Sequence, residues 1–148
     1  MEKSGIIIVD DTKEVLSSFK RELRTAPYNV FYANSGEEAL EILKENPCKL
    51  IISDIKMPKM DGFELLARVQ ELYPEMIRVV LSGHSDVKLI LNLVNKGGIY
   101  RYLTKPWEME DVKSTINQCI ELFDLRKEVV KLRKKLDTKG GAGKQNLK

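Results

Sequence analysis

Five short apolar runs, each followed by a helical pattern, constrain the fold of this chain more than any other feature. The runs span residues 5–11, 29–34, 49–54, 77–83 and 99–105. The runs at 5–11, 49–54 and 77–83 are continuous and lack polar–apolar alternation, whereas 29–34 is shorter and mixed. Runs without alternation predict strands covered on both faces, as in a parallel sheet. Five β–α units in about 125 residues indicate an α/β domain with a doubly wound, five-stranded parallel sheet in the order 2-1-3-4-5.

Apolar residues at helical spacing fill the intervals between these runs. Two predicted helices begin with a capping box, in which Ser35 is paired with Glu38 and Asp61 with Glu64. The fourth predicted helix, residues 85–98, has six apolar residues among positions 87–94, more than one apolar stripe requires. We therefore expect this helix either to be buried on two sides or to present an apolar face to a partner.

The fifth predicted helix begins near Glu108 and is longer than the domain needs. Apolar residues continue along it at spacings of three and four: Leu122, Leu125, Val129, Leu132 and Leu136. This spacing is typical of a coiled coil, but it covers only about two heptads, fewer than the three or four that make such an assignment secure. The predicted organisation is a domain over residues 1–124, a helical extension and possible short coiled coil over 125–136, and a flexible linker or tail over 137–148.

Charge is divided at nearly the same boundary. Residues 126–148 contain nine Lys or Arg and two Asp or Glu, whereas residues 1–125 contain 16 basic and 20 acidic residues. Because the basic excess lies in the extension, it favours a solvated helix and linker. Nucleic acid is expected to be a partner only through an output domain beyond this sequence.

The location of the chain is predicted from its short apolar runs. None approaches the roughly 20 residues that a membrane span requires, and the first run ends on two acids, unlike a signal peptide. A cytoplasmic protein without a membrane partner is therefore expected. Cys48 and Cys119 have no metal-like spacing and are predicted to be reduced thiols.

Polar side chains stand at the carboxyl ends of four predicted strands. Asp10 and Asp11 end the first strand, Asp54 the third, Ser82 the fourth and Lys105 the fifth. Strands one and three are neighbours in the predicted order, so three carboxylates converge there. Such a cluster resists full ionisation unless a cation neutralises it, and oxygen ligands suit a hard ion such as Mg2+. Singly, each residue is explained as a turn former, a cap or a surface residue; together they indicate a site for magnesium and phosphate.

Four motifs carry a resemblance to a known family: VDD at 9–11, SDIKMPKMDG at 53–62, LSG at 81–83 and YLTKPW at 102–107. Over residues 4–124 the chain resembles the receiver domain of two-component response regulators, which has the flavodoxin-like strand order. The resemblance implies that Asp54 accepts a phosphoryl group from a phosphohistidine of a sensor histidine kinase, from a phosphotransfer protein or from a small phosphodonor.

The resemblance also implies roles for other residues. Asp10, Asp11, Asp54 and the backbone carbonyl of Lys56 would hold Mg2+: Asp11 directly and Asp10 through water. Ser82 and Lys105 would bind the phosphoryl group, and Ser82 with Tyr102 would form a switch. The family fold further implies a cis peptide bond before Pro106. Beyond self-catalysed phosphoryl transfer and slow autodephosphorylation, the chain would not be an enzyme.

The expected output is a change of surface on phosphorylation. Family members commonly dimerise or dock partners through the fourth helix, the fifth strand and the fifth helix. We expect a homodimer there or through the C-terminal coiled coil, and control of an output domain or of a partner. Gly83 stands at a position where family members usually have a small residue, often Ala.

Other functions stay open at this stage. A stand-alone phosphorelay receiver would use the same site without an output domain. A phosphatase of the haloacid dehalogenase type requires Asp-x-Asp-x-Thr on strand one, whereas this chain has the adjacent pair Asp10 and Asp11 followed by Thr12. A degenerate receiver that never takes phosphate is disfavoured by the complete set of site residues.

Overall fold

A single parallel sheet organises the molecule. The computed structural model describes residues 3–83, 86, 88, 90, 91, 94 and 98–146. Its strands are β1 (Ser4–Val9), β2 (Tyr28–Ala33), β3 (Leu50–Asp54), β4 (Ile77–Ser82) and β5 (Arg101–Thr104). They pair in the order β2-β1-β3-β4-β5, and every pairing is parallel. The predicted five-stranded sheet and its order are therefore confirmed.

Four helices are described: α1 (Lys13–Leu23), α2 (Gly36–Glu45), α3 (Gly62–Leu72) and α4 (Met109–Asn146). The predicted starts of α2 and α3 are correct. The backbone N–H of Glu38 donates to Ser35 Oγ at 3.1 Å, and that of Glu64 donates to Asp61 Oδ1 at 2.8 Å. These bonds satisfy donors that have no partner inside a helix. The fourth predicted helix, residues 85–98, lies mostly outside the described residues.

The core has two layers, one on each face of the sheet. Alternate residues of β1 and β3 point to opposite faces: Ile7 and Ile51 belong to the cluster that includes α2 and α3, and Ile6 and Ile52 to the one that includes α1 and α4. All four side chains are fully buried. Burying such a side chain contributes about 1.5–3 kcal/mol relative to leaving it exposed. Apolar residues without alternation thus have neighbours on both faces, as predicted.

The C-terminal helix α4 leaves the domain partway along its length. Phe123 is its last buried residue, and the following side chains are exposed as far as they are described. The sequence predicts a flexible linker over 137–148, and this prediction is wrong as far as Asn146, because the helix continues to that residue. No proline interrupts the helical hydrogen bonds there. Gly140, Gly141 and Gly143 each cost about 1 kcal/mol relative to alanine, so this end is the weakest part of the helix.

Two further expectations concern membrane and redox chemistry. Within the described ranges, no helix combines the length and the apolar character needed to cross a membrane. Cys48 and Cys119 are both free and buried, as predicted for reduced thiols.

Candidate functional site

Three carboxylates meet at the carboxyl edge of the sheet, where β1 and β3 lie side by side. Asp10, Asp11 and Asp54 each offer one oxygen atom, and these atoms all lie within 4.8 Å of one another. Asp10 is fully buried, Asp54 is buried with 8% of its surface exposed, and Asp11 is exposed. The strand order thus brings the three acids together as the sequence analysis expects.

Lys105 lies between the two buried acids. Its Nζ is 2.8 Å from Asp10 Oδ2 and 3.3 Å from Asp54 Oδ1. The shorter contact is an ion pair without hydrogen-bond geometry, so Asp10 Oδ2 has no hydrogen-bond donor in the described part of the chain. The other oxygen of Asp10 accepts a hydrogen bond from the backbone N–H of Thr12 at 2.9 Å. Asp10 is therefore held through both of its oxygens, and its buried charge is paired with the ammonium group of Lys105.

The charges of this cluster do not balance. Burial raises the pKa of Asp54, the negative charge of Asp10 raises it further, and Lys105 opposes both effects. Burial by itself lowers the pKa of Lys105, but the two acids outweigh it and the net shift is upward. The ammonium group is therefore stabilised in its charged form. One positive and three negative groups leave a formal charge of −2 in the ionised state, which a divalent cation would neutralise.

Ser82 ends β4 with a hydroxyl group that has no hydrogen-bond partner among the described residues. Its side chain is 1% exposed, and Oγ makes no hydrogen bond among the described residues. Its backbone carbonyl accepts from the N–H of Lys105 at 2.8 Å, which holds the end of β5 against β4. Since buried polar groups are nearly always satisfied, this hydroxyl also points to a ligand as its partner.

The loop between β3 and α3 depends on a glycine that the sequence analysis treats only as a helix start. The N–H of Gly62 donates to the carbonyl of Ile55 at 2.7 Å. A Cβ at Gly62 would lie 2.1 Å from the backbone carbonyl oxygen of Asp54, far inside van der Waals contact. Only glycine therefore lets α3 begin so close to Asp54. In the sequence, the Asp61-Gly62 pair at the start of a predicted helix is the signal that could have indicated this requirement for glycine.

Lys56, two residues after Asp54, is exposed within the same loop. Its Nζ is 4.0 Å from Asp86 Oδ1, so the side chain reaches toward the segment that follows β4. Lys59 in this loop adopts a positive φ of 67°, a conformation that costs a residue with a side chain about 1 kcal/mol or more. The loop backbone is thus held in a particular shape next to Asp54.

An aromatic stack supports the segment after Lys105, and the sequence analysis missed it. The rings of Phe19 and Trp107 are 4.5 Å apart between centroids and 13° from parallel. Phe19 is fully buried on α1, so this contact fixes the β5–α4 connection on that helix. The Lys105–Pro106 peptide bond is cis, as the resemblance implies. Tyr102 is half-buried and packs against the core on the α2–α3 side of the sheet.

Comparison with known proteins identifies the family. Residues 6–117 match the family described as response regulator receiver domain. The chain belongs to this family. The receiver domain is 32% identical over 136 residues to the hydrogenase transcriptional regulatory protein HoxA of Cupriavidus necator, an alignment that covers 92% of this chain and 28% of HoxA. It spans about a quarter of the length of the HoxA relatives that it matches.

Solved structures share the fold of this receiver domain. A structure described as adenylate cyclase from Rhodopirellula baltica has a TM-score of 0.85 and 34% identity, over 90% of this chain and 99% of that one. The signal receiver domain of an HD domain-containing protein from Pseudomonas fluorescens Pf-5 has a TM-score of 0.80 and 34% identity, over 86% and 94%.

Family membership settles the class of function. A receiver domain of a two-component response regulator is a signalling module and not an enzyme in the usual sense. The alternative of a haloacid dehalogenase-type phosphatase is thereby removed.

Proposed function

We propose that this receiver domain accepts a phosphoryl group on Asp54 from the phosphohistidine of a sensor histidine kinase or a phosphotransfer protein. The observation that carries the proposal is the position of the Asp54 carboxylate. Its Oδ1 is 3.3 Å from Lys105 Nζ, and one of its oxygens lies within 4.8 Å of oxygens from Asp10 and Asp11. The nucleophile, a fixed cation and a set of metal ligands therefore lie together at one edge of the sheet.

The donor set fits Mg2+. Asp10, Asp11, Asp54 and the backbone carbonyl of Lys56 would hold the ion, and all four donors are the oxygen ligands that this hard cation prefers. The formal charge of −2 on the three acids and Lys105 favours a divalent cation. When bound, Mg2+ would neutralise negative charge on the acids and on the incoming phosphoryl group.

The residues of the chain then divide the chemistry between them. A carboxylate oxygen of Asp54 forms the new bond to phosphorus while the bond from phosphorus to the histidine nitrogen breaks, and the imidazole keeps that electron pair. Lys105 contributes positive charge toward the phosphoryl oxygens, and the free hydroxyl of Ser82 donates a hydrogen bond to them. Slow attack of water on the acyl phosphate would return Asp54 as a carboxylate.

The signal would be read through Ser82 and Tyr102. Engagement of the Ser82 hydroxyl by phosphate gives one state of the domain a contact that the other lacks, and so shifts a pre-existing equilibrium. Tyr102, on β5, would change its packing in response. The surface of residues 85–98, β5 and α4 is the proposed site for dimerisation or partner docking. Its first segment lies mostly outside the described residues.

An output domain is the favoured destination of the signal. Relatives such as HoxA are several times longer than this chain, and HoxA is named as a hydrogenase transcriptional regulatory protein. Control of such a domain fits that length better than a stand-alone phosphorelay receiver, which remains the alternative. The cytoplasm remains the proposed location of this receiver domain.

The test is incubation of the chain with acetyl phosphate and Mg2+, followed by intact mass measurement. We expect a gain of one phosphoryl group that Asp54→Asn abolishes. Asp61→Asn is the matched control, because Asp61 caps α3 on the same loop and should leave the mass gain intact. If the unmodified chain gains nothing, it is a degenerate receiver, and a gain that survives Asp54→Asn would place the phosphoacceptor elsewhere.

A further inference from the structure

Arg78 places a charged side chain inside the molecule, at the second position of β4. This strand lies between β3 and β5 in the sheet, and Arg78 pairs in register with the fully buried Ile51 of β3. The Arg78 side chain is itself buried, with 8% of its surface exposed. Residues at such positions are ordinarily apolar, and a buried charge is ordinarily paired with an opposite one.

Two neutral groups hold the guanidinium of Arg78 in place. Its Nε donates to the backbone carbonyl of Gly98 at 2.8 Å, and its Nη1 donates to that of Met76 at 3.0 Å. These bonds use two of the five N–H groups of a guanidinium and tie the segment before β5 to the start of β4. They fix the side chain but do not neutralise it, because neither acceptor carries a negative charge.

A second arginine, Arg126 of α4, lies near the first. Arg126 is exposed, and within the described ranges neither it nor Arg78 forms an ion pair. Burial lowers the pKa of the Arg78 guanidinium, and the positive charge of Arg126 lowers it further. The two cations therefore repel each other. No acid on α4 is placed to pair with Arg126, because its neighbours at three and four positions are all apolar: Leu122, Phe123, Val129 and Val130.

The sequence around these two arginines contains little negative charge. Residues 76–107 include a single acid, Asp86, whose Oδ1 lies 4.0 Å from the Nζ of Lys56 in the loop beside Asp54. Glu75 precedes this segment and forms no ion pair with the described residues. An anion that neutralises the two arginines would therefore come from outside the described part of the chain.

Both arginines line one cavity at the amino edge of the sheet. Its volume is about 240 Å³, and its other walls are apolar or aromatic: Met76, Ile77, Val94, Ile99 and Tyr100. Four residues along β4 separate Arg78 from Ser82, which is about 13 Å of extended strand. The cavity is therefore separate from the site at the three acids.

The chemistry of the walls indicates the class of ligand. A guanidinium stays charged at ordinary pH and binds a planar carboxylate through paired N–H groups. Apolar and aromatic walls favour a ligand with an apolar body over a bare inorganic anion. A volume of 240 Å³ corresponds to about eight water molecules at liquid density, so this body must be small.

We infer that this cavity binds a small organic carboxylate. The carboxylate group lies between Arg78 and Arg126, and the apolar body lies against Ile99 and Tyr100. Such a ligand would neutralise the two repelling cations and cover the exposed part of the Tyr100 ring, which is 39% exposed. The site would be a second ligand site of the domain, at the edge of the sheet opposite Asp54.

An NMR titration of the whole chain with benzoate tests the inference. Benzoate carries one carboxylate on a compact ring, and benzamide is its neutral counterpart. Benzoate should shift the backbone amide signals of Arg78 and Tyr100 saturably, with a dissociation constant on the order of 1 mM. Benzamide should bind several-fold more weakly. Sodium chloride keeps the ionic strength constant, because salt screens charge.

Two ligand outcomes would overturn the inference. Equal binding of benzoate and benzamide would show that the cavity does not recognise the charge. Inorganic phosphate that binds as well as benzoate would show that the apolar walls contribute nothing, so the site would not be specific for an organic carboxylate.

Substitution of the arginines tests their roles. Arg126→Gln should raise the benzoate dissociation constant by roughly three- to tenfold, because it removes one of two charged donors. Arg133→Gln is the matched control, since Arg133 is exposed on the same helix two turns beyond the cavity, and it should bind benzoate unchanged. Arg78→Lys keeps the charge but loses the paired N–H groups, and it should also bind more weakly.

A purely structural role for Arg78 predicts a different pattern. In that case Arg78→Lys would lower only stability, and benzoate would shift no signal of the cavity in the unmodified chain. Equal benzoate affinities of Arg126→Gln and Arg133→Gln would likewise overturn the inference. This second comparison holds even if Arg78→Lys does not fold, because Arg126 is exposed and outside the core.

The inference does not depend on phosphorylation, and one variant separates the two. Asp54→Asn should bind benzoate with the dissociation constant of the unmodified chain. Loss of binding in this variant would place benzoate at the three acids and overturn the inference. A chain that binds no benzoate but is phosphorylated on Asp54 would overturn the inference and leave the proposed function standing.

Discussion

The carboxyl edge of the sheet and the free half of α4 leave different kinds of group unsatisfied. At the sheet edge, Asp10 Oδ2 and the Ser82 hydroxyl are buried without hydrogen-bond partners in the described part of the chain. Along α4, Leu125 and Leu136 are about two-thirds exposed. The first region has buried polar atoms without hydrogen-bond partners among the described residues, and the second has apolar side chains on an open surface.

This difference indicates what each region binds. Buried polar groups fixed by β1, β3, β4 and β5 fit a small ion and a phosphoryl group. An exposed apolar stripe fits another apolar surface of similar length. The receiver domain therefore has one region built for a small ligand and one suited to a second chain.

The largest expected effect comes from adding a methyl group beside Asp54. Gly62→Ala places a Cβ 2.1 Å from the Asp54 carbonyl oxygen, so the free energy of unfolding should fall by about 2 kcal/mol or more. Gly83→Ala is the matched control, because no heavy atom of the described residues lies within 4 Å of its Cβ position. It should change stability by less than about 1 kcal/mol, with stabilisation expected. Urea denaturation of both variants compares them, and equal losses would show that the loop is not tightly fixed.

Removing the positive charge of Lys105 from the cluster of three acids should have the next largest effect on stability. Lys105→Met leaves three acids without their ammonium partner. The free energy of unfolding in EDTA should therefore be about 1–2 kcal/mol lower than that of the unmodified chain. Addition of Mg2+ should recover part of this loss. Lys49→Met, which removes an ion pair with Asp124 outside the cluster, should cost less than about 1 kcal/mol and should not respond to Mg2+. An identical magnesium response in both variants would argue against a metal site at the three acids.

The two buried serines next to the site should behave differently. Ser82→Ala removes a hydroxyl without a partner, so stability should stay within about 0.5 kcal/mol, whereas phosphorylation by acetyl phosphate should slow by about tenfold. Ser53→Ala removes a hydrogen bond from Oγ to the Asp54 carbonyl, at 2.9 Å, and should cost about 1 kcal/mol of stability. Thermal unfolding and mass-resolved kinetics measure the two quantities. A stability loss for Ser82→Ala equal to that for Ser53→Ala would show that Ser82 is satisfied without phosphate.

The smallest effect on the stability of the domain should come from the exposed apolar stripe of α4, which consists of Leu125, Val129, Leu132 and Leu136. Leu132→Ala should change the unfolding free energy of the monomer by no more than about 0.5 kcal/mol, because its side chain is half exposed. Ile52→Ala, in the buried centre of β3, should cost about 2–5 kcal/mol. Denaturation at protein concentrations below the onset of self-association makes this comparison. A loss for Leu132→Ala near that for Ile52→Ala would mean that the stripe is part of the domain core.

The sheet and the meeting of the acids could be predicted from the sequence because both follow from local patterns. Apolar runs define strands, and the strand order then places Asp10 and Asp54 side by side. The capping boxes at Ser35 and Asp61 are likewise local, since donor and acceptor lie three residues apart.

Contacts between distant parts of the chain could not be predicted in this way. The stack of Phe19 on Trp107 joins residues 88 positions apart, and no sequence pattern marks two such rings as neighbours. The need for glycine at position 62 depends on how closely α3 approaches the backbone of Asp54, which only the folded chain defines. At the end of α4, three glycines in the sequence favour a linker, whereas the helix continues through them to Asn146.

The central claim is that Asp54 is the phosphoacceptor of this receiver domain. The most direct measurement is to treat the chain with acetyl phosphate and Mg2+, trap the acyl phosphate by borohydride reduction, and locate the modified residue by peptide mass spectrometry. We predict a single modified position, Asp54, and no modification when EDTA replaces Mg2+. Modification at Asp10, Asp11 or any other residue, or an equal yield in EDTA, would contradict this account of the site.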